Sequence, residues 1–517
     1  MNTYKLSRKK VVQNTFALYI RYCMVMLVTL YTSRIVLKEL GIVDYGIYNV
    51  VAGFVAMFSF FSSSMANAIQ RYLNFEFGKN NDKGGEKVYG TGFVLLFCVS
   101  LLMVFVLETL GLWFLNNKLV IPDERRTIVS MVYHIAVFTT FVTVNHAIFT
   151  ACILAHEDMK VYAYTGVFQA LARLITAFCL VISPIDRLIM YTSLFCITDV
   201  LLYLFYLLYC VRKYTECSFI PLFCKKTGKQ LLFFIGWNTV ISLSNTINNQ
   251  GINILLNVFF GPIVNAARGI AFQIFNALQS FGFNIYSATR PQLVKSYASG
   301  NMDYFSKLFF QSSKVSYYLL FVICVPILVN IEFVLNIWLE KYPDNTVIFS
   351  KLIILCVLVE SLSCPIWAAI QAVGRLKSFA VFGSLIFLLI LPISFVLFSY
   401  GYPAYTVFIV YLIIRCLYLF ATAKILSEHV VEIKIKRYCK DVISPILISS
   451  LLILSIIYSV NTCFSIFLIT DFIMLSILYI IISLFVIYLF GINKTEKKGT
   501  MVVLNKLNLK IRKFFNV

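Results

Sequence analysis

The chain has 517 residues, is 60% hydrophobic and only 13% charged, and carries a formal net charge of +21. A water-soluble protein of this length would divide into several domains with roughly twice that share of charge, so a soluble enzyme and a soluble basic nucleic-acid-binding domain are both excluded. What remains is an all-α polytopic membrane protein: apolar runs of about 20 residues, enough to cross a hydrocarbon core of about 30 Å, recur along the whole length.

About fourteen spans are expected. The first follows a polar, basic start (Lys5, Arg8, Lys9, Lys10) and lacks a small-residue cleavage site, so it reads as a retained helix. Span centres fall near Met26, Ala56, Leu101, Thr140, Leu171, Leu201, Asn245, Phe275, Leu319, Leu358, Leu388, Leu412, Leu451 and Leu475. The spans around Asn245 and Phe275 are the most polar, and they are needed for the loop charges to alternate.

That alternation sets the expected orientation. The start with Lys5, Arg8, Lys9 and Lys10, the loops with Arg71, Lys79, Lys83 and Lys87, with Lys160, with Arg212 to Lys229, with Arg290, Lys295 and Lys307, with Arg375 and Lys377 and with Lys424 to Lys440, and the tail from Lys494 to Lys513 hold 31 of the 44 Lys and Arg. The intervening loops hold Arg34, Lys38, Lys118, Arg125, Arg126, Arg187 and Lys341. By the positive-inside rule both termini are cytoplasmic, and most of the net charge faces anionic membrane lipid. From Met501 to Phe515, Leu504, Leu507, Ile511, Phe514 and Phe515 share one helical face opposite lysines, the pattern of an interfacial amphipathic tail.

The chain repeats itself at an offset of about 220 residues. Gly41-Ile-Val-Asp44-Tyr45-Gly46-Ile47 has its counterpart in Gly261-Pro-Ile-Val-Asn265-Ala-Ala-Arg268-Gly269-Ile270, and the basic loop Arg71 to Lys87 matches Arg290 to Lys307. Six spans per repeat place both halves in the same orientation. The expected boundaries are 1–212 for the first lobe (spans 1–6), 213–229 for a cytoplasmic linker, 230–428 for the second lobe (spans 7–12), 429–491 for spans 13 and 14, and 492–517 for the basic tail.

At about 100° per residue, Asn49, Ser59, Ser63, Asn67 and Gln70 fall in one sector of the second span, and Asn238, Ser242, Asn245, Asn249 and Asn253 in one sector of the seventh. The eighth carries Arg268, Asn276, Gln279, Ser280 and Ser287, and the first aligns Asn14, Arg21 and Thr32. Polar faces therefore occupy spans 1 and 2 and their repeat equivalents 7 and 8. Interhelical hydrogen bonding accounts for a few such residues per helix; five aligned amides and hydroxyls on one span favour a water-filled cavity.

Six cations lie within apolar stretches: Arg21, Arg173, Arg268, Lys314, Lys351 and Arg415. Each costs about 2.5–3.5 kcal/mol at bilayer depth and is expected to face a bundle interior or a wet cavity. Arg21 and Arg268 sit on polar faces and are the cavity candidates. Arg173 and Arg415 are expected to serve structure, against acids or carbonyls, and Lys314 and Lys351 to snorkel. Glu108, Asp199, Glu360 and Asp471 are the intramembrane acids that a proton or sodium gradient would use, none with a partner evident in the sequence. His134 and His146 are not spaced as a pair. The fourteen cysteines show no metal-binding spacing and most lie in spans as small hydrophobes. The pattern suits the passage of something large, polar and anionic.

Gly41-Ile-Val-Asp44-Tyr45-Gly46-Ile47-Tyr48 after the first span, Asn248-Asn249-Gln250-Gly251-Ile-Asn253 leading to Phe260-Gly261-Pro262 and Asn265-Ala-Ala-Arg268-Gly269, and Arg290-Pro291-Gln292-Leu293 with Tyr297-Ala-Ser-Gly300-Asn301 carry a family resemblance. Over essentially its full length the chain resembles the Wzx-type lipid-linked oligosaccharide flippases of the multidrug/oligosaccharidyl-lipid/polysaccharide (MOP) exporter superfamily. The resemblance implies two six-helix lobes in a V around a central cavity lined by spans 1, 2, 7 and 8, plus a C-terminal helix pair. It implies a polyprenyl-pyrophosphate-linked sugar as cargo, a bacterial inner-membrane location, a polysaccharide polymerase and chain-length regulator as partners, and no cofactor beyond an ion gradient. Related lipid II flippases hold pyrophosphate with arginines on spans 1, 2 and 8; Arg21 and Arg268 inherit that role by position. The second span departs from this pattern, since Arg71 lies just past its cytoplasmic end.

Two rivals are distinguishable. An ion-coupled multidrug/cation antiporter of the same superfamily wants an acidic cavity, whereas this chain offers cations and amides. A membrane polysaccharide polymerase or ligase needs catalytic residues on sizeable outer loops; the longest here, Asn330 to Thr346, has no nucleophile/base pair, so no enzyme is expected.

Overall fold

The computed structural model describes residues 2–497 other than 58–59, 79–80, 157, 218–222, 374–380, 382, 384, 431, 465–467 and 494–495. The side chains of 1–23, 233–243, 245 and 281–292, and of some single positions, lie outside the described residues. The expected amphipathic tail lies outside them too.

Nearly all of the described chain is helical. In order come α1 (Asn2–Ala56), α2 (Phe60–Gly78), α3 (Asp82–Val106), α4 (Leu112–Asn117), α5 (Arg126–Ala155), α6 (Met159–Cys179), α7 (Arg187–Lys213), α8 (Lys225–Phe260) and α9 (Pro262–Ala298). They are followed by α10 (Met302–Val329), α11 (Ile331–Leu339), α12 (Thr346–Val373), α13 (Ile390–Ser399), α14 (Thr406–His429), α15 (Ile435–Tyr438), α16 (Ser444–Cys463) and α17 (Ile469–Val486). Among the described residues, nine helices are long and apolar enough to cross a membrane. The protein is a multi-pass membrane protein.

Two of the four glycines at positive φ among the described residues break long helices. Gly41 interrupts α1 at φ 77°, ψ 170°, and Gly261 separates α8 from α9 at φ 78°, ψ −177°. This region is essentially closed to residues with a Cβ. Pro262 then opens α9, at the helix start where its missing N–H removes no intrahelical bond.

The chain divides into two compact units. Unit 1 comprises Met1–Ile270 with Trp338–Thr346 and Phe387–Val407. Its core joins Ala68, Ile69 and Leu73 of α2, Ile148, Phe149 and Cys152 of α5, Tyr206 and Cys210 of α7, and Leu231 of α8. In lipid no hydrophobic force drives helices together, so close packing and interhelical hydrogen bonds carry association. Asn145 accordingly donates to Ser100 Oγ at 2.9 Å between α5 and α3. At one end of the bundle, Asp158 accepts from Tyr209 (2.7 Å), Tyr214 (3.2 Å) and Lys213, while His156 pairs with Glu216 at 2.6 Å and stacks on Tyr214.

Unit 2 comprises Ala271–Ile337, Val347–Ile386 and Phe408–Val517. Within it α10 packs against α16 and α17, with Tyr317 and Tyr318 reaching Ser450 (3.1 Å) and Ser449 (3.0 Å). One expectation needs correction here. Lys314 does not snorkel: it is 2% exposed and forms an ion pair with Glu496, because α10 runs through the middle of this packing. The segment Asn330 to Thr346, expected as the longest outer loop, contains a helix of its own at Ile331–Leu339.

Candidate substrate-path site

The polar faces of the repeat signatures meet inside unit 1. Asn253 of α8 donates to the Asn49 carbonyl of α1 at 2.8 Å. Asn265 of α9 donates to the Asn253 carbonyl at 2.6 Å and to its side-chain oxygen at 2.8 Å. Arg268 donates to the Asn249 carbonyl one helix away. Three glycines allow the approach: a Cβ on Gly46 would lie 1.9 Å from the Pro262 carbonyl oxygen, on Gly53 2.5 Å from Gln250 Oε1, and on Gly269 2.9 Å from Asn49 Oδ1. Asn257 completes the set, accepting from the Val120 N–H at 2.9 Å.

These side chains are enclosed. Asn253 is 2% exposed, Asn265 0% and Arg268 6%. Asn248, also buried, has neither its amide nitrogen nor its oxygen in a hydrogen bond. A buried unpaired amide is costly; the Asn265 side-chain oxygen is unpaired as well, so Asn248 and Asn265 both keep hydrogen-bonding capacity in hand.

The other expected site residues divide by location. Asn67 is exposed on α2, with Gln70 half-buried one turn on; Asn249 is half-buried on α8. Asn276 and Gln279 are exposed on α9 within unit 2. Gln279 donates to Glu360 at 3.1 Å. The side chains of Arg21, Asn238 and Asn245 lie outside the described residues.

All four intramembrane acids have partners, which sequence spacing did not reveal because each lies on a different helix or in a cap. Glu360 accepts from Arg415 at 2.9 Å as well as from Gln279, so the Arg415 charge serves structure as expected. Glu108, in a single π-helical turn at Leu107–Gly111, meets His134 Nδ1 at 3.0 Å. Asp199 accepts from Gln169 at 3.1 Å, and Arg173 lies over the Phe195 ring at 4.4 Å. Asp471 caps its own helix by accepting from the Leu468 N–H at 2.9 Å. His146 packs on Tyr206.

The sequence reading missed a cluster of ion pairs on the loops that were expected to face outward. Arg125 bridges Asp44 at 2.6 Å and Asp186. Arg187 donates to the Glu39 carbonyl at 2.9 Å and lies 3.4 Å from its carboxylate. Glu340 pairs with Arg34 and, at 4.0 Å, with Lys38. The signal was available, because each of these acids stands in or beside a loop that carries one of the few cations expected outside.

The sequence matches the family "Polysaccharide biosynthesis protein" over residues 10–297, more than half of the chain. No curated protein matches it. Among solved structures, the chain is similar to the lipid II flippase MurJ in an inward closed conformation, with a TM-score of 0.69 and 14% identity, covering 92% of this chain and 99% of that one. It is similar to an inward-facing multidrug resistance MATE family transporter of the MOP superfamily, with a TM-score of 0.67 and 14% identity, covering 80% and 98%. A MOP superfamily transporter from Pyrococcus furiosus, described as having a binding pocket of reverse polarity, aligns with a TM-score of 0.58 at 12% identity, over 81% and 96%. The chain thus has the fold of MOP superfamily transporters, and it belongs to the polysaccharide biosynthesis protein family.

Proposed function

We propose that this protein is a flippase that carries a polyprenyl-pyrophosphate-linked oligosaccharide from the cytoplasmic to the outer leaflet of a bacterial inner membrane. The family match is the observation that supports this reading most, since it joins polysaccharide biosynthesis to a fold shared with a lipid II flippase. In this proposal the chain crosses the membrane fourteen times with both termini cytoplasmic, as two six-helix lobes (1–212 and 230–428), a linker, and a terminal helix pair. The lipid tail stays in the bilayer while the hydrated anionic head passes between lobes by alternating access.

The site residues then take two roles. Asn253 and Asn265, enclosed between helices, hold the repeat signatures together, and Arg268, expected at the pyrophosphate, instead ties α9 to the Asn249 carbonyl of α8. Arg21, Asn67, Gln70, Asn238, Asn245, Asn249, Asn276 and Gln279 meet the cargo, with cations for phosphate and amides for sugar hydroxyls. Of the acids, Glu108 and Asp199 are the coupling candidates: Glu360 already pairs with Arg415, and Asp471 is engaged in a cap. That neutralisation of Glu360 also weighs against the antiporter reading, which the MATE likeness keeps as the runner-up.

The test follows lipid-linked oligosaccharide in cells that lack the protein, complemented with wild type, Arg21→Ala or Gln279→Ala at matched expression. Accumulation on the cytoplasmic leaflet, rescued by wild type and poorly by the variants, is expected. No accumulation in the deletion would overturn the cargo assignment and turn attention to cation export.

A further inference from the structure

Glu340 is the only non-glycine residue at positive φ among the described residues, at 62°. It follows α11 directly, and the Lys341 N–H donates to the Leu339 carbonyl at 2.6 Å across it. A hydrogen bond from residue i+2 to residue i around a residue at positive φ is a γ-turn of the strained hand. Such strain persists only where the surroundings over-determine it. The surroundings are specific: the Glu340 carboxylate pairs with Arg34 and, at 4.0 Å, with Lys38, one helical turn apart on α1. Two residues earlier, Trp338 Nε1 donates to the Leu30 carbonyl at 2.7 Å. The arginine hydrogen bond and the nearby lysine hold the carboxyl below the usual carboxylate range, so the charge that makes both pairs is present at neutral pH.

We infer that Glu340 is a strained latch, in which the γ-turn is held in place by its ion pairs to α1 and relaxes when they break, freeing the segment Trp338–Thr346 from α1. The segment lies within unit 1, while the chain on either side of it, up to Ile337 and from Val347, belongs to unit 2. Exposed ion pairs are individually weak and are offset here by the strained turn, so the latched and released states are close in free energy. This suits an element that opens and closes in each cycle. The inference rests on the proposed transport reading only for its purpose, which is to hold the outer side shut between transfer events. The latch itself is a property of the fold.

Hydrogen exchange of the purified full-length protein in detergent tests the latch without cargo. Exchange in peptides covering 331–346 should speed up at least threefold in Glu340→Arg and return toward wild type when Arg34→Glu is added. Glu340→Ala and Glu340→Gly both lose the charge, but alanine keeps the left-handed strain and should exchange measurably faster than glycine. Unchanged exchange in Glu340→Arg, or equal rates in the alanine and glycine variants, would overturn the latch. Transfer of lipid-linked sugar in the same variants serves as the second arm. A latch that loosens by exchange should change flux in Glu340→Arg and regain it in the charge swap; loosening with flux unaltered would remove the latch from the cycle. Absence of any sugar transfer by wild type would strike the cargo assignment and leave the exchange result standing.

Discussion

Gly41 and Gly261, about 220 residues apart in the sequence, hold the same backbone conformation, with φ near 77° and ψ near 180° in both. Each closes one long helix and starts the next, and each begins one of the two signature motifs. The backbone therefore repeats where the sequence repeats, at a conformation that only glycine adopts comfortably.

A first prediction follows from that geometry. A Cβ at either position meets nothing within 4 Å, so the penalty for alanine is backbone strain alone. Gly41→Ala and Gly261→Ala should each destabilise by about 1–3 kcal/mol, and by similar amounts, read as thermal stability in detergent. Gly46→Ala should cost more, because its Cβ would overlap the Pro262 carbonyl and backbone cannot swing aside. A tolerated Gly46→Ala would show that α1 and α9 have room to separate there.

Much of this was legible beforehand, for identifiable reasons. Helices in lipid must be apolar and of bilayer length, so hydropathy reported nine of them among the described residues, while the more polar α8 and α9 were legible only through the loop charges. The glycines were visible because the motif recurs. The partners of charged groups were not visible: Arg415 and Glu360 are paired by two helices that approach only in the folded unit, and Lys314 finds Glu496 far along the chain. Helical-face analysis also identified polar sectors without separating residues that face open space, such as Gln279, from residues consumed by packing, such as Asn253. Both kinds obey the same period, because a polar helical face looks alike in sequence whether it is exposed or packed.

That separation is itself testable. Asn253→Ala removes the amide that bonds to Asn49 and the oxygen that accepts from Asn265, leaving buried groups unpaired, and should destabilise by about 1–3 kcal/mol. Asn276→Ala removes an exposed side chain and should leave stability within about 0.5 kcal/mol, Gln279→Ala loses its bond to Glu360 and should cost about 1 kcal/mol, and both should lower sugar-lipid transfer severalfold. The reverse pattern, stable Asn253→Ala with selective loss of transfer, would put Asn253 in contact with cargo.

The Glu360–Arg415 pair should behave as a unit. Removing one partner strands the other charge among buried neighbours, so Glu360→Gln or Arg415→Met alone should cost about 3–5 kcal/mol. The double variant should recover most of that loss, since two neutral side chains need no compensation. Additive losses in this double-mutant cycle would mean that the two groups act independently, and Glu360 would return to the list of coupling candidates.

Asp158 supplies a pH dependence with a defined sign. It sits between α5 and α6, outside the membrane-spanning stretches. Burial works against its charge, but hydrogen bonds from Lys213 and Tyr209, the nearby lysine charge and a bond from Tyr214 outweigh that and hold the carboxyl below its ordinary value. A carboxyl with a lower pKa in the folded state binds fewer protons there than in the unfolded chain. Its stabilisation is therefore complete above the unfolded value, about 3.9, and is lost as pH falls through the folded value. Wild type should exceed Asp158→Asn by about 1–3 kcal/mol, the worth of hydrogen bonds to a charged group, with a gap that stays level from pH 8 to pH 5 and closes in stronger acid. Tyr209→Phe removes one donor and raises the folded value, so the gap should be smaller and should finish closing at a higher pH. A gap already shrinking between pH 7 and pH 5 would mean that the Asp158 carboxyl does not set this dependence.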